Sequence, residues 1–405
     1  MTTAAITGIG LITPAGIGRS STWATTCAGR PTAARTAALD EAPVGFACTL
    51  PDTYDTNRLL GRRADRTMDR STQLALVAAE SALNDAGLTP ALRQDARVAV
   101  IIGTAHGGTA TIEHNHARLL DKGAGAINAR FLPKGLVNMV SGHLSIELGV
   151  TGPNFVTSTA CASGATAIGL GMTLLRANQV DIVITGGTDA AVTPLNVGGF
   201  HKLRALSTRG DDPKAASRPF DVDHDGFVMA EGAGILVLER PEDAAARRAR
   251  PYAQLAGYGA TADAHHPTAP HPDGAGAKEA IRAACDDAGL TPGDLSYINA
   301  HATSTPTGDA VEATVIGALA PDAAVSSTKG VTGHALGAAG AIEAAFAALA
   351  VRDQAAPPNA NLENPIPEAK ELNLITGGAR SMPIPAALSN SFGFGGHNAA
   401  LVFTQ

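Results

Sequence analysis

Apolar residues in this chain fall either into short runs closed by glycine-rich turns or into longer segments with helical spacing. Residues 4–10 read as a buried first strand ending in a turn, and 98–102, 180–185, 235–239, 295–299 and 399–403 read as further buried strands. Residues 71–87 have the spacing of an amphipathic helix, with Ser71 as N-cap and Leu74, Val77, Ala78, Ala82 and Leu83 among its apolar positions. The stretch 156–164 reads as a short strand, a tight turn and the start of a helix carrying Cys161. That helix is apolar on nearly every face as far as Arg176, so it is expected to be buried. Buried strands alternating with helices favour layered α/β packing. Residues 40–66 look loop-like, and 105–140 and 200–227 are irregular and charged; the last two are expected to be insertions on the first half.

The pattern also repeats. A helix closed by Gly87-Leu88-Thr89-Pro90 returns, half a chain later, as a helix closed by Gly289-Leu290-Thr291-Pro292. Thr157 to Cys161, ahead of one Gly/Ala-rich helix, has a counterpart in Ser326-Ser327-Thr328-Lys329 ahead of another. Two matches in the same order predict two copies of one α/β unit, 1–247 and 248–405, sharing one core without a flexible linker.

Composition narrows the function classes. A net charge of −7 argues against nucleic-acid or membrane-surface binding, while leaving room for a small basic patch facing an acidic partner. Cys27, Cys48, Cys161 and Cys285 are widely spaced with no CxxC pair, which argues against a disulfide framework or zinc site and fits a reducing cytoplasm. No basic leader and no apolar run long enough to span a bilayer is present. The early glycines miss the dinucleotide fingerprint, with Thr13 where its third glycine belongs.

A cysteine at a buried helix N-terminus faces orphan N–H groups, which stabilise thiolate and make a nucleophile; a buried structural cysteine is the other reading of this stretch. Three later segments hold chemistry-grade residues at strand ends: Asn299 to Asp309, Ser326 to His334, and the glycine-rich Asn390 to Asn398. His301 and His334 each follow an apolar strand among small residues that let a ligand approach. Lys329 precedes His334 and is expected to organise charge beside it, or else to form a structural ion pair with Glu343.

These segments resemble the elongating β-ketoacyl-acyl-carrier-protein synthases. The likeness is carried by Ala160-Cys161-Ala162-Ser163-Gly164, by His301-x-Thr303-x-Thr305-Pro306, by Lys329-x4-His334 and by Phe392-Gly393-Phe394-Gly395-Gly396, with 206–209, 217–221 and 225–234 also similar. The resemblance covers nearly the whole chain. It implies the thiolase fold, a duplicated five-layered αβαβα core, in a protein that is usually dimeric. It implies a decarboxylative Claisen condensation in which Cys161 takes an acyl group from an acyl carrier protein and a malonyl-loaded carrier then extends it by two carbons. Backbone N–H groups of Cys161 and Phe394 would form the oxyanion hole, and His301 and His334 would stabilise the enolate. Phe394 looks like the gate over the cysteine, residues 260–268 (with Asp263, His266 and Thr268) like its partner loop, and Phe200, Thr303 and Thr305 like further pocket residues. No cofactor is implied. Asn299, Glu343, Ser389 and Asn390 match positions where some relatives hold a structural monovalent cation.

One departure concerns His106, at a turn where such relatives commonly carry an aliphatic side chain against the acyl pocket. An imidazole there predicts a shorter pocket or one suited to polar or unsaturated chains; the alternative is a ring turned away onto backbone. Two pathways fit the motifs: fatty acid elongation by a homodimer, or type II polyketide assembly, where the chain would pair with a chain length factor. Cys161, His301 and His334 together argue against a non-catalytic subunit, and the Cys-His-His set departs from both thiolases and priming synthases.

Overall fold

The computed structural model describes residues 3–51, 54–94 and 96–405. The first half supplies strands β1 (Ala4–Thr13), β2 (Val98–Gly103), β3 (Asn154–Thr157), β4 (Ile182–Asp189) and β5 (Gly232–Glu239). The second supplies β6 (Gln254–Ala262), β7 (Tyr297–Asn299), β8 (Ala324–Ser326), β9 (Asn373–Leu374), β10 (Ala386–Gly393) and β11 (His397–Thr404). Hydrogen bonds link them in the order β9-β8-β7-β10-β11-β6-β1-β5-β4-β2-β3. Each half therefore runs first, fifth, fourth, second, third, and β9 is an extra edge strand. Pairing sense repeats too: β2 is parallel to β3 and β4 as β7 is to β8 and β10, while β5 and β11 lie antiparallel to their neighbours. The two halves of the sheet join where Ala4 and Ala5 of β1 meet Leu255 and Gln254 of β6, and Ile6 extends the junction to Tyr252 and Ala253.

Burial explains why the strands read as unbroken apolar runs. Val183, Leu236 and Leu238 face the central core, while the intervening Ile182, Ile184, Ile235 and Val237 face an outer one. With both faces covered, every position is selected for apolar character. Helices α2 (Ser163–Arg176) and α6 (Ala339–Asp353) pack between the sheets. Outside them lie α1 (Arg70–Asp85) on the first sheet and α4 (Ala275–Ala288) on the second. The result is the five-layered αβαβα arrangement. Residues Ala339 to Val351 of α6 are all buried, and the Gly/Ala content of both central helices allows this. A Cβ at Gly164 would stand 2.8 Å from the backbone nitrogen of Ala341.

Three local expectations need correction. The first amphipathic helix runs Arg70–Asp85, and its cap is Asp69, whose carboxylate accepts the Ser71 N–H at 3.1 Å. A carboxylate also complements the helix dipole. Residues 40–66 include two short helices, Thr56–Leu60 and Arg62–Thr67. The insertion at 105–140 is largely helical, through Thr109–Lys122 and Phe131–Gly135, with Leu119, Leu120 and Leu132 exposed. No helix among the described residues is long and apolar enough to cross a membrane.

Candidate active site

Strand ends from both halves converge on Cys161. Helix α2 starts at Ser163 with Ala162 as its cap, so Cys161 lies in the turn before the helix rather than in its first turn. Ala160 takes a left-handed φ of 49° there. Ser163 holds the turn, its hydroxyl donating to Ala160 O at 2.6 Å and accepting the Thr159 N–H at 3.0 Å. Gly393 crosses directly above; a Cβ on it would lie 2.6 Å from Thr159 O.

His334 follows the short helix Lys329–Thr332, and its Nε2 is 3.1 Å from Cys161 Sγ. The His301 ring, just beyond the end of β7, meets the His334 ring edge-on with centroids 5.4 Å apart. One ligand atom from each of the three lies within 4.8 Å of the other two. Phe227 packs on His334, Phe392 on His301, and Phe200 on both Phe227 and Phe394.

This enclosure sets the protonation states. Burial pushes the Cys161 thiol up to about 12, against which the Lys329 ammonium and the Phe394 N–H pull down. The expected thiolate at a helix terminus is therefore replaced by a thiol beside an imidazole, because the helix starts too late and aromatic rings exclude water. Burial, and after it Lys329, holds both histidines well below their usual value, so they are neutral. Lys329 is itself fully buried and forms an ion pair with Glu343, as the structural alternative anticipated, while its charge still acts on Cys161 and both histidines.

A cavity of about 290 Å³ leads from solvent to Cys161, His301 and His334. Phe200, Phe394, Thr303, Thr305, Asp263 and Thr268 line it. The Thr303 and Thr305 hydroxyls are 2.9 Å apart. The two expected loops are tied together: Gly395 N–H donates to Pro267 O at 2.7 Å, Asp263 N–H to Gly396 O at 2.8 Å, and Asn398 Nδ2 to Asp263 Oδ1 at 2.7 Å. Two expected pocket residues stand off the wall. The His106 ring stands against Phe200, centroids 6.1 Å apart, and its backbone N–H donates to the buried Asp189. His266 turns its Nδ1 to accept the Thr268 and Ala269 N–H groups.

Comparison with known proteins agrees with this geometry. Residues 1–244 match the family profile of the β-ketoacyl synthase N-terminal domain, and 252–363 that of its C-terminal domain. The chain belongs to the β-ketoacyl synthase family. It is 45% identical over 407 residues to a 3-oxoacyl-[acyl-carrier-protein] synthase 2 from Synechocystis sp., covering 99% of this chain and 97% of that one. Among solved structures, a β-ketoacyl synthase from Burkholderia phymatum superposes with a TM-score of 0.94 at 32% identity, covering 100% of both chains. The ishigamide ketosynthase/chain length factor gives 0.93 at 32% identity, covering 100% of this chain and 99% of that one.

Two further groups of residues stand out in this β-ketoacyl synthase. Among the described residues, Asn299 Oδ1, Ser389 Oγ, Asn390 Oδ1 and Glu343 Oε2 are each buried without a hydrogen-bond partner, and Asn299 stands opposite Ser389 in the sheet register. An all-oxygen set of this kind suits a hard cation. The second is Glu312, which sequence reading missed. It lines the cavity, accepts the His301 and Ala302 N–H groups at 2.9 and 2.6 Å, and takes Asn390 Nδ2 at 3.0 Å. It sits two turns into a helix, α5 (Pro306–Leu319), where an acidic residue reads as solvated. Burial raises its carboxyl to about 7 despite these donors. A raised carboxyl contributes stability that is complete below its ordinary 4.5 and lost as pH rises through about 7. The stability advantage of wild type over Glu312→Gln should therefore shrink by on the order of 1–3 kcal/mol between pH 5 and 8. Urea midpoints across that range measure this, and a constant difference refutes it.

Proposed function

We propose that this protein condenses a Cys161-bound acyl chain with malonyl-acyl carrier protein, releasing carbon dioxide and a 3-oxoacyl chain two carbons longer, in type II fatty acid synthesis. The observation that carries the reading is the contact of His334 Nε2 with Cys161 Sγ, with His301 beside it at the end of an enclosed cavity. In the first half-reaction the Cys161 sulfur adds to the incoming thioester, and its proton passes to His334 Nε2. The tetrahedral oxyanion is held by the Cys161 and Phe394 N–H groups and collapses, and the carrier thiol departs with the proton. In the second, the C–C bond to the malonyl carboxylate breaks and carbon dioxide leaves. The resulting enolate oxygen takes hydrogen bonds from His301 and His334, and its carbon attacks the acyl thioester. The Cys161 thiolate is expelled and takes up one proton. His334 serves the first step with Nε2 unprotonated and the second as the Nε2–H tautomer, both neutral. Burial, and after it Lys329, keeps the histidines neutral.

The 45% identity to a 3-oxoacyl-[acyl-carrier-protein] synthase 2, against 32% to the ishigamide ketosynthase/chain length factor, supports fatty acid elongation over polyketide assembly. The exposed edge strand β3, with Phe155 partly exposed, supports pairing with a second copy. Phe394 and the 260–268 loop act as the gate. A monovalent cation at Asn299, Ser389, Asn390 and Glu343 would neutralise buried oxygens beneath the site. The repeat divides near residue 247.

Mixing the enzyme with acyl carrier proteins bearing graded chains, then adding malonyl-loaded carrier, tests the reading by intact-protein mass spectrometry. An acyl adduct on Cys161 followed by a carrier product two carbons longer is expected. Adducts without extension, or none with any chain, would overturn it.

A further inference from the structure

The cavity above Cys161 has one lysine or arginine in its wall, Arg204. At the inner end Cys161, His301 and His334 are enclosed; at the outer end Leu203, Arg204, Thr268 and Thr307 are exposed. Arg204 therefore stands at the mouth.

Its position is fixed by the way α3 (Pro194–Lys202) ends. The Arg204 N–H donates to His201 O at 2.9 Å and the Ala205 N–H to Phe200 O at 3.1 Å. Arg204 takes the left-handed φ of 55° that this helix closure requires. Ala205 O then accepts the Phe227 N–H at 2.9 Å, tying the turn to the core. The side chain thus starts from a rigid root.

The guanidinium has no hydrogen-bond or ion-pair partner among the described residues, whereas Arg70, Arg218 and Arg247 are each tied to a carboxylate. The two carboxylates of the cavity wall are occupied elsewhere. Asp263 accepts Asn398 Nδ2 and the His271 N–H, and Glu312 accepts His301, Ala302 and Asn390. An exposed cation without a partner, rooted at the mouth of a channel whose two carboxylates are already engaged, calls for an anion on whatever enters.

On the reading proposed above, what enters is a phosphopantetheine arm. Its thioester must reach Cys161, and its amides then pass Thr303 and Thr305. Its single anion, the phosphodiester, is at the end nearest the carrier and so at the mouth. We propose that Arg204 binds that phosphodiester. A guanidinium suits this role because its planar fork pairs two N–H groups with two phosphate oxygens.

The test rests on the condensing-enzyme reading and separates its own failure from that of the parent. Acylation of Cys161 is followed by mass spectrometry with acyl-pantetheine, which lacks the phosphate, with acyl-phosphopantetheine, and with the acylated carrier protein, using wild type, Arg204→Gln and Arg204→Lys. Wild type should half-saturate with acyl-phosphopantetheine at about tenfold lower concentration than with acyl-pantetheine. Arg204→Gln should abolish that advantage while leaving acyl-pantetheine half-saturation and the maximal acylation rate unchanged. Arg204→Lys should recover part of it, and added salt should erode it. The proposal is overturned if Arg204→Gln keeps the phosphate advantage, if wild type shows none, or if the variant is impaired only with the intact carrier, which would make Arg204 a contact for the carrier surface. Failure of every donor to label wild-type Cys161 would remove the parent reading and this one with it.

Discussion

Replacing His301 by alanine should leave acylation of Cys161 close to wild type and slow condensation about 10²- to 10³-fold; His334→Ala should slow both steps. The asymmetry follows from geometry. His334 Nε2 is 3.1 Å from the sulfur and is placed to take the thiol proton. His301 reaches the site through its edge-on contact with His334, and on the proposed reading it serves the enolate of the second step. A hydrogen-bond donor aimed at developing negative charge in an enclosed site is typically worth about 10²–10³ in rate. Because burial and then Lys329 hold both rings neutral, they donate as imidazoles, and a neutral amide should replace part of the function. His301→Gln is therefore expected to lie between wild type and His301→Ala. Single-turnover assays starting from enzyme already acylated at Cys161 isolate the second step. Equal losses in acylation for the two alanine variants would refute the division of labour.

How far the sequence discloses such a site depends on what each residue's neighbours select. The duplication was legible because both copies cap the same outer helix with glycine, at Gly87 and Gly289, where φ is 68° and 71°. The strands were legible because both faces are buried, which forces continuous apolar runs. His301 and His334 were legible as candidates because each follows an apolar strand among small residues, and Cys161 because it precedes a buried helix; the resemblance to a known family joined them as a set. Their protonation was not. The thiol near 12 follows from burial of a turn that precedes the helix, in a cavity lined by residues distant in sequence, among them Phe200, Phe227 and Phe394. Glu312 escaped notice because nothing in the sequence of α5 marks its carboxylate as turned toward the His301 and Ala302 N–H groups. The helices within 105–140 escaped because their leucines remain exposed while the positions that Thr109–Lys122 buries, Thr111 and Asn115, are polar, so no apolar face marks the pattern.

Lys329→Met should destabilise the enzyme by about 3 kcal/mol at pH 7, and by more at pH 9. Lys329 and Glu343 are an ion pair with almost no solvent contact. Removing one member of such a pair typically costs about 3–5 kcal/mol, since the survivor is an uncompensated buried charge. Glu343 limits that cost because it can take a proton. Burial already raises its carboxyl from 4.5 to about 7, with Lys329 pulling it down. Without Lys329 it rises further and stays protonated in the folded state at pH 7. Below about 7 the folded wild type and the folded variant both hold the Glu343 proton, so the deficit is flat there; above about 7 wild-type Glu343 ionises beside Lys329 while the variant's stays protonated, so the deficit should grow from pH 7 to pH 9. The double variant Lys329→Met/Glu343→Gln should recover most of the loss, because it buries no charge. Denaturant titrations at the two pH values give both comparisons, and a deficit that is pH-independent and unrelieved in the double variant would show that Lys329 acts through packing alone. The same substitution should raise the affinity of both histidines for protons, because the Lys329 charge that opposes their protonation is gone. Condensation by Lys329→Met should therefore fall away at a higher pH on the acidic side than condensation by wild type.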